Sequence, residues 1–204
     1  MKLVFDLGGV VLRWRPDEFL ARWLPERAPT AAAALELATS VFQGFGGQWA
    51  EFDRGRVEPA ALAAGIAART SLPIADALRI IESIPGELQP MAETVALLER
   101  LRRAGRTLFF LSNMPASYAA HLEATQAVLR GFEAGIYSSR VGLIKPEPAL
   151  FAHAADVFGA QPSELLLIDD NPANVAAAER AGWHGLLFVD AERCEADLRR
   201  LGLA

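Results

Sequence analysis

A handful of polar residues stand directly after apolar runs, where they could do chemistry. Asp6 sits in Val4-Phe5-Asp6-Leu7-Gly8-Gly9. A carboxylate there can meet a ligand while the two following glycines let the backbone turn closely around it. Asp169-Asp170-Asn171 follows Leu165-Leu166-Leu167-Ile168, with Asn174 four residues beyond Asp170. Two adjacent carboxylates repel unless a cation lies beside them, and hard oxygen ligands suit magnesium. A helix start capped by Asp170 or Asn171 accounts for one of these residues but not for the pair. Lys145, in Ile144-Lys145-Pro146-Glu147, shares the whole chain with only one other lysine, Lys2. It could neutralise an anionic substrate or a carboxylate nucleophile, although a lysine taken alone is more often a surface residue. Ser112-Asn113 follows Leu108-Phe109-Phe110-Leu111. A hydroxyl and backbone N–H groups at such a strand end can cradle a phosphate, and they also make ordinary turns.

These residues need elements that bring them together. Short apolar runs bounded by turn signals read as buried strands: 3–5 before Asp6, 107–111 before Ser112, 165–168 before Asp169, 185–189, and a weaker one at 135–138. Helical spacing covers 91–104, ended by Gly105 as a C-cap, then 117–129, 147–158 and 174–181. The last two follow Pro146 and Pro172, near a helix start that tolerates proline. The alternation predicts an α/β fold, a doubly wound, mostly parallel sheet covered on both faces. Ligands of such sheets sit beyond the carboxyl ends of the strands, so Asp6, Ser112, Asp169 and Asp170 converge on one edge. The stretch 14–90 breaks the alternation and reads as helices only: 16–24, 31–39, 59–69 and 74–84, with a glycine- and aromatic-rich segment at 41–49. We therefore expect an α/β catalytic core from 1–13 and 91–204, and a helical cap from 14–90 placed over the strand ends.

The 204 residues are 52% hydrophobic and 22% charged, which fits a globular protein. No apolar run reaches the roughly 18–20 residues that span a bilayer, and the start lacks the long apolar stretch of a signal peptide. A cytoplasmic protein with no membrane partner is expected. The net charge of −5 and the lack of a basic stripe argue against nucleic acid as a partner. Cys194, the single cysteine, cannot form an internal disulfide. His121, His153 and His184 lack metal-ligand spacing and read as structural. No heptad pattern or long apolar edge asks for a second copy, so a monomer is expected.

Taken in order, the polar residues resemble the four motifs of the haloacid dehalogenase superfamily over nearly the whole chain. Phe5-Asp6-Leu7-Gly8-Gly9-Val10 resembles the first, Leu111-Ser112-Asn113 the second, Lys145-Pro146 the third, and Ile168-Asp169-Asp170-Asn171 with Asn174 the fourth. The insert is placed like the family's helical cap on its Rossmann-like core. Glu51-Phe52-Asp53-Arg54-Gly55-Arg56-Val57 is similar to a stretch in caps of the sugar-phosphate phosphatase branch, including the α-D-glucose-1-phosphatase type. The resemblance implies a magnesium-dependent phosphatase acting on a small phosphorylated metabolite such as a sugar phosphate. Asp6 would attack and become an aspartyl-phosphate. Mg2+ would be held by Asp6, the Gly8 carbonyl and Asp170, with Asp169 direct or through water. Ser112, Asn113, Gly9 and nearby backbone N–H groups would hold the phosphoryl group. Lys145 would balance its charge, and Asn174 would orient the site from behind.

The pattern departs at Gly8, where most phosphatases of the superfamily carry a second aspartate that acts as general acid. Three readings stay open. A phosphatase could work on an already acidic leaving group, such as the anomeric oxygen of a sugar 1-phosphate, or take its proton from water, Glu51 or Asp53. The loss of a general acid costs roughly 10²–10⁴-fold. A metal-independent 2-haloacid dehalogenase needs no acid, but the Asp169-Asp170 pair argues against it. A non-catalytic phosphate-binding protein of the same fold is the third. Trp14, Phe42, Phe45 and Trp49 read as cap core or as stacking surfaces for a sugar ring. Arg13 and Arg15 could reach a phosphate or stay solvated.

Overall fold

The apolar runs pair as five parallel strands in the computed structural model, which describes residues 1–44 and 46–204. They are β1 (Lys2–Phe5), β2 (Leu108–Ser112), β3 (Ala134–Tyr137), β4 (Leu165–Asp169) and β5 (His184–Leu187). The order across the sheet is β3-β2-β1-β4-β5, the doubly wound arrangement that the alternation predicts. Successive side chains of a strand face opposite ways, and here they feed two apolar layers. Leu3, Phe5, Leu108, Phe110, Leu166 and Ile168 pack into one. Val4, Phe109, Leu111, Leu165 and Leu167 pack into the other. Register sets Phe5 beside both Phe110 and Ile168. Asp6 and Asp169 therefore leave the sheet at one level, with Ser112 one residue beyond its own neighbour at that level.

Between β1 and β2 come α1 (Pro16–Trp23), α2 (Ala31–Phe42), α3 (Gly47–Asp53), α4 (Pro59–Thr70), α5 (Ile74–Glu87) and α6 (Ala92–Arg103). After β2 follow α7 (Ala116–Thr125), α8 (Ser138–Val141), α9 (Pro148–Val157), α10 (Pro172–Arg180) and α11 (Ala191–Arg200). Leu150 and Phe151 of α9 and Ala177 and Ala178 of α10 cover the second layer. Leu97 and Leu101 of α6, Tyr118 of α7 and the apolar faces of α1–α5 join the first. None of the described helices is long and apolar enough to cross a membrane.

Three elements differ from the sequence reading. The segment 41–49, read only as glycine- and aromatic-rich, holds the end of α2 and the start of α3 at Gly47, where Trp49, Ala50 and Phe52 give this short helix a buried face. Phe45 lies outside the described residues. The helix expected at 117–129 stops at Thr125, where the buried Gln126 turns extended, and a 3₁₀ turn at Ala127–Gly131 follows. The helix expected to end at 84 runs through Pro85 to Glu87. Proline has no N–H for the carbonyl four residues back, which is that of Ile81. The Tyr118 hydroxyl donates to that carbonyl instead, at 2.6 Å, so the helix continues without a buried orphan.

Candidate active site

Asp6 emerges from β1 with its backbone N–H still bonded to the Ile168 carbonyl at 2.9 Å. Its Oδ1 accepts from the Leu7 N–H at 2.7 Å and lies 2.9 Å from Lys145 Nζ. Both contacts fall on one oxygen, which leaves Oδ2 as the atom free to act on a ligand. Lys145 is 1% exposed, and its ammonium also donates to Asp169 Oδ2 at 2.6 Å. Asp169, fully buried, accepts further from Asn171 N–H at 2.9 Å and from Asn174 Nδ2 at 3.0 and 3.1 Å. Asp169 thus holds the lysine and the start of α10 in place. Asn113 fixes the lysine from the other side. Its Nδ2 donates to the Lys145 carbonyl at 2.9 Å, and its Oδ1 accepts the Lys145 N–H at 2.8 Å.

Burial raises the Asp6 carboxyl to about 7; Lys145 pulls it down, while Asp169 and Asp170 push it further up. Burial also raises the Asp170 carboxyl, with Asp169 adding to the effect. Burial alone lowers the Lys145 ammonium, but Asp169 and Asp6 reverse this and leave it above the ordinary lysine value. Oxygens of Asp6, Asp169 and Asp170 lie within 4.8 Å of one another. One ammonium faces three carboxylates, and it is taken up by two of them. The third, Asp170, lies at the edge of the cluster, only partly covered. Excess negative charge on hard oxygens fits a small divalent cation. Gly9 supplies the room: at φ +79° its own missing Cβ would stand 2.2 Å from Asp170 Oδ2.

A cavity of about 390 Å³ opens over Asp6, within the range that takes a small ligand. Its floor includes Gly8, Ser112, Asn174 and Asp170, and its walls include Trp14, Phe42, Trp49, Ile84 and Leu88. Aromatic rings continue edge-to-face from Trp14 to Phe42, Trp49, Phe52 and Tyr118, with centroids 4.5–5.7 Å apart. The end of α3 is stapled to the sheet side of this cavity. Arg54 forks onto Glu147 at 2.7 and 2.5 Å, and Arg56 donates to the Gly142 carbonyl at 3.1 Å. Ser138 Oγ accepts the Met114 N–H at 2.8 Å and donates to the Asp53 carbonyl at 2.5 Å. Gly55, at φ +74°, passes so close that a Cβ would meet the Ser139 carbonyl at 2.9 Å. The stretch 51–57 that stood out in the sequence is this staple.

The profile of the haloacid dehalogenase-like hydrolases matches residues 3–182. The chain belongs to that family. A sesquiterpene phosphatase of Aspergillus oryzae is 26% identical to this hydrolase over 97% of the chain and 94% of its own length. A solved HAD-like hydrolase of Porphyromonas gingivalis is 25% identical and superposes with a TM-score of 0.70 over 98% of this chain and 96% of its own. A Bacteroides thetaiotaomicron family enzyme, solved with magnesium and inorganic phosphate, has a TM-score of 0.69 at 22% identity over 91% of this chain and 92% of its own, a likeness of fold.

The hydrolase brings Asp6, Gly8, Ser112, Asn113, Lys145, Asp170 and Asn174 to one cavity, with Asp169 behind them. Two expected phosphate contacts have other tasks here. The Gly9 N–H is given to the Leu12 carbonyl at 2.8 Å, and Gly9 serves as the space that Asp170 occupies. The Asn113 side chain is engaged at both ends of its amide by the Lys145 backbone. Asn174 Nδ2 donates to both carboxylate oxygens of Asp169. Arg15 lines the cavity, whereas Arg13 pairs with Glu18 at 3.2 Å on the surface. His121, His153 and His184 lie away from it, with His184 Nε2 against the Ser163 carbonyl at 3.2 Å. Sequence reasoning passed over Tyr118. Its signal was present in Pro85, a proline in a helical pattern that needs a partner for the carbonyl it orphans.

Proposed function

We propose that this hydrolase is a magnesium-dependent phosphomonoesterase that works through an aspartyl-phosphate on Asp6. One observation supports this above the others: among the described residues Asp6 Oδ2 has no hydrogen-bond partner, while Oδ1 is held by Leu7 N–H and Lys145. That arrangement leaves one carboxylate oxygen free for attack on phosphorus, with the lysine balancing charge as the bond forms. Asp6, Asp170 and the Gly8 carbonyl, with Asp169 through water, would hold Mg2+, which when bound supplies positive charge to the transferring phosphoryl group. Ser112 and the backbone beside it receive the phosphoryl oxygens. In this reading 14–90 is a cap that closes the cavity against water, with 1–13 and 91–204 as the catalytic core, in a cytoplasmic monomer.

The substrate we propose is a small phosphorylated metabolite whose alcohol has an apolar face. The aromatic wall of Trp14, Phe42 and Trp49 supports this. A sugar ring stacked on an indole would meet it, as in the sugar-phosphate branch that the sequence resembles. A more apolar alcohol, like the sesquiterpene named for the Aspergillus oryzae relative, would also meet it. A panel of p-nitrophenyl phosphate, sugar 1- and 6-phosphates and prenyl phosphates, with magnesium or EDTA, tests both points. Magnesium-dependent phosphate release that Asp6→Asn abolishes is the expected result. Phosphate release that persists in Asp6→Asn would overturn the nucleophile assignment, and chloride release from 2-chloropropionate in EDTA would establish the dehalogenase reading instead.

A further inference from the structure

We infer that Asp53, carried in by the helical insert, is the group that protonates the leaving oxygen of the substrate. This rests on the aspartyl-phosphate reading above. Gly8 offers no side chain, so a side chain that protonates a basic leaving group has to come from elsewhere in the cavity. Tyr118 is excluded, because its hydroxyl proton already lies on the Ile81 carbonyl at 2.6 Å. Lys145 is held between Asp6 and Asp169. Among the acidic groups lining the cavity, Asp17 and Asp53 are left once Asp6 and Asp170 have their roles. Asp53 is the better placed. Its backbone is fixed by Ser138 on one side and by the Arg54–Glu147 fork on the other. Glu147 lies two residues after Lys145, so one short loop positions both the lysine and the end of α3. Asp53, Asp6 and Lys145 line the same cavity. Arg54 beside it is turned to Glu147, and no ion pair ties down the Asp53 carboxyl among the described residues.

The surroundings also keep a proton on it. Burial raises the Asp53 carboxyl to about 8; Asp6 adds to the rise, and Arg54 and Lys145 oppose it. Tyr118, facing it from α7, stays neutral, since burial and Asp53 hold its hydroxyl well above the ordinary tyrosine value. A donor must be protonated at working pH yet able to release the proton, and Asp53 meets both conditions. The step balances as follows. Asp6 Oδ2 bonds to phosphorus as the ester P–O bond breaks, and the Asp53 proton passes to the departing oxygen, giving the free alcohol. Water then attacks the aspartyl-phosphate and gives a proton to the Asp53 carboxylate. Inorganic phosphate leaves, and both aspartates are restored.

The test compares kcat/KM of the full-length wild type, Asp53→Asn, Asp53→Glu and Asp17→Asn in magnesium. The substrates are p-nitrophenyl phosphate, whose leaving group needs little help, and the best alkyl phosphate from the panel, whose leaving group needs a proton. Asp53→Asn is expected to lose about 10²–10⁴-fold on the alkyl ester and less than about tenfold on the aryl ester. Asp53→Glu should recover part of the alkyl activity. Equal losses on both esters would make Asp53 a positioning or structural residue and overturn the inference. The selective loss appearing in Asp17→Asn instead would assign the donor to Asp17. A wild type that releases phosphate from nothing would defeat the phosphatase reading, and this inference with it, whereas an active wild type with an unselective Asp53→Asn defeats the inference alone.

Discussion

Tyr118→Phe removes one oxygen and nothing else, and the structure says what that oxygen does. It lies 2.6 Å from the Ile81 carbonyl, the carbonyl that Pro85 leaves without its helical donor. Tyr118 is 4% exposed and Ile81 1%, so water cannot easily take the place of the hydroxyl. A buried acceptor left unpaired costs about 1–3 kcal/mol. Taking about 2 kcal/mol for a chain of this size, Tm falls by roughly 4–8 °C. The mechanism is separable from general loosening by a double-mutant cycle. Pro85→Ala gives α5 an N–H at position 85, aimed at the same carbonyl. In that background Tyr118→Phe should cost well under 1 kcal/mol, a coupling of about 1–2 kcal/mol between two residues that touch one atom. The change in unfolded-chain freedom that Pro85→Ala brings appears in both legs and cancels. Thermal and urea unfolding of the four proteins measure it. A Tyr118→Phe cost that is the same in both backgrounds would refute the reasoning.

Gly9→Ala should lose about 1–2 kcal/mol from its φ of +79° alone. Because its Cβ would displace Asp170, it should also weaken magnesium binding by about 10–100-fold, read by calorimetric titration; unchanged magnesium binding would mean Asp170 is not a ligand. In metal-free buffer the carboxyls of Asp6, at about 7, and Asp53, at about 8, stand above their unfolded value of 3.8. A raised carboxyl contributes stability that is present below pH 4 and is lost as pH climbs through the folded value. Urea midpoints should therefore fall between pH 5 and pH 8.5, and magnesium, by favouring ionised Asp6, should flatten the fall; a midpoint that rises over this range contradicts the assignment. At Gly8 a Cβ would meet nothing nearer than Trp14 at 3.8 Å, so Gly8→Asp should fold. Placed in the Asp53→Asn background, it should restore alkyl phosphate turnover at least tenfold, and no gain would show that a carboxyl at position 8 cannot reach the leaving oxygen.

How far the sequence could be read followed from how local each signal was. The strand ends were legible because an apolar run closing on a lone Asp or Ser is a one-dimensional pattern, and parallel register then does the rest. Asp6, Ser112, Asp169 and Asp170 needed no tertiary information beyond that. The tasks of Gly9 and Asn113 were not legible. A glycine after a nucleophile looks the same whether its N–H meets a phosphate or its missing Cβ makes room for Asp170, and only the fold brings residue 170 there. Asn113 looks like a ligand group until Lys145, 32 residues later, takes both ends of its amide. At the start of α3, Gly46 and Gly47 hid a helix whose buried face comes from packing on neighbours rather than from propensity.

Gly8 and Asp53 show the same division in the opposite direction. An absent carboxyl at position 8 is plain in the sequence and reads there as a deficit. The sequence offers Asp53 beside water and Glu51 as the source of the proton but does not choose among them, because the choice runs through Ser138, Arg54 and Glu147, contributed by three separate segments. A Cβ at Gly8 would meet nothing nearer than Trp14 at 3.8 Å and the backbone there is not left-handed, so neither Cβ crowding nor backbone conformation dictates glycine. What the molecule holds instead is a carboxyl on an insert that is stapled to the lysine loop. In that arrangement the proton donor and Trp49, one part of the aromatic wall, belong to the same helix, α3. Chemistry on a basic leaving group and part of the recognition of that group then meet in α3, and a substitution in 49–53 should alter both together.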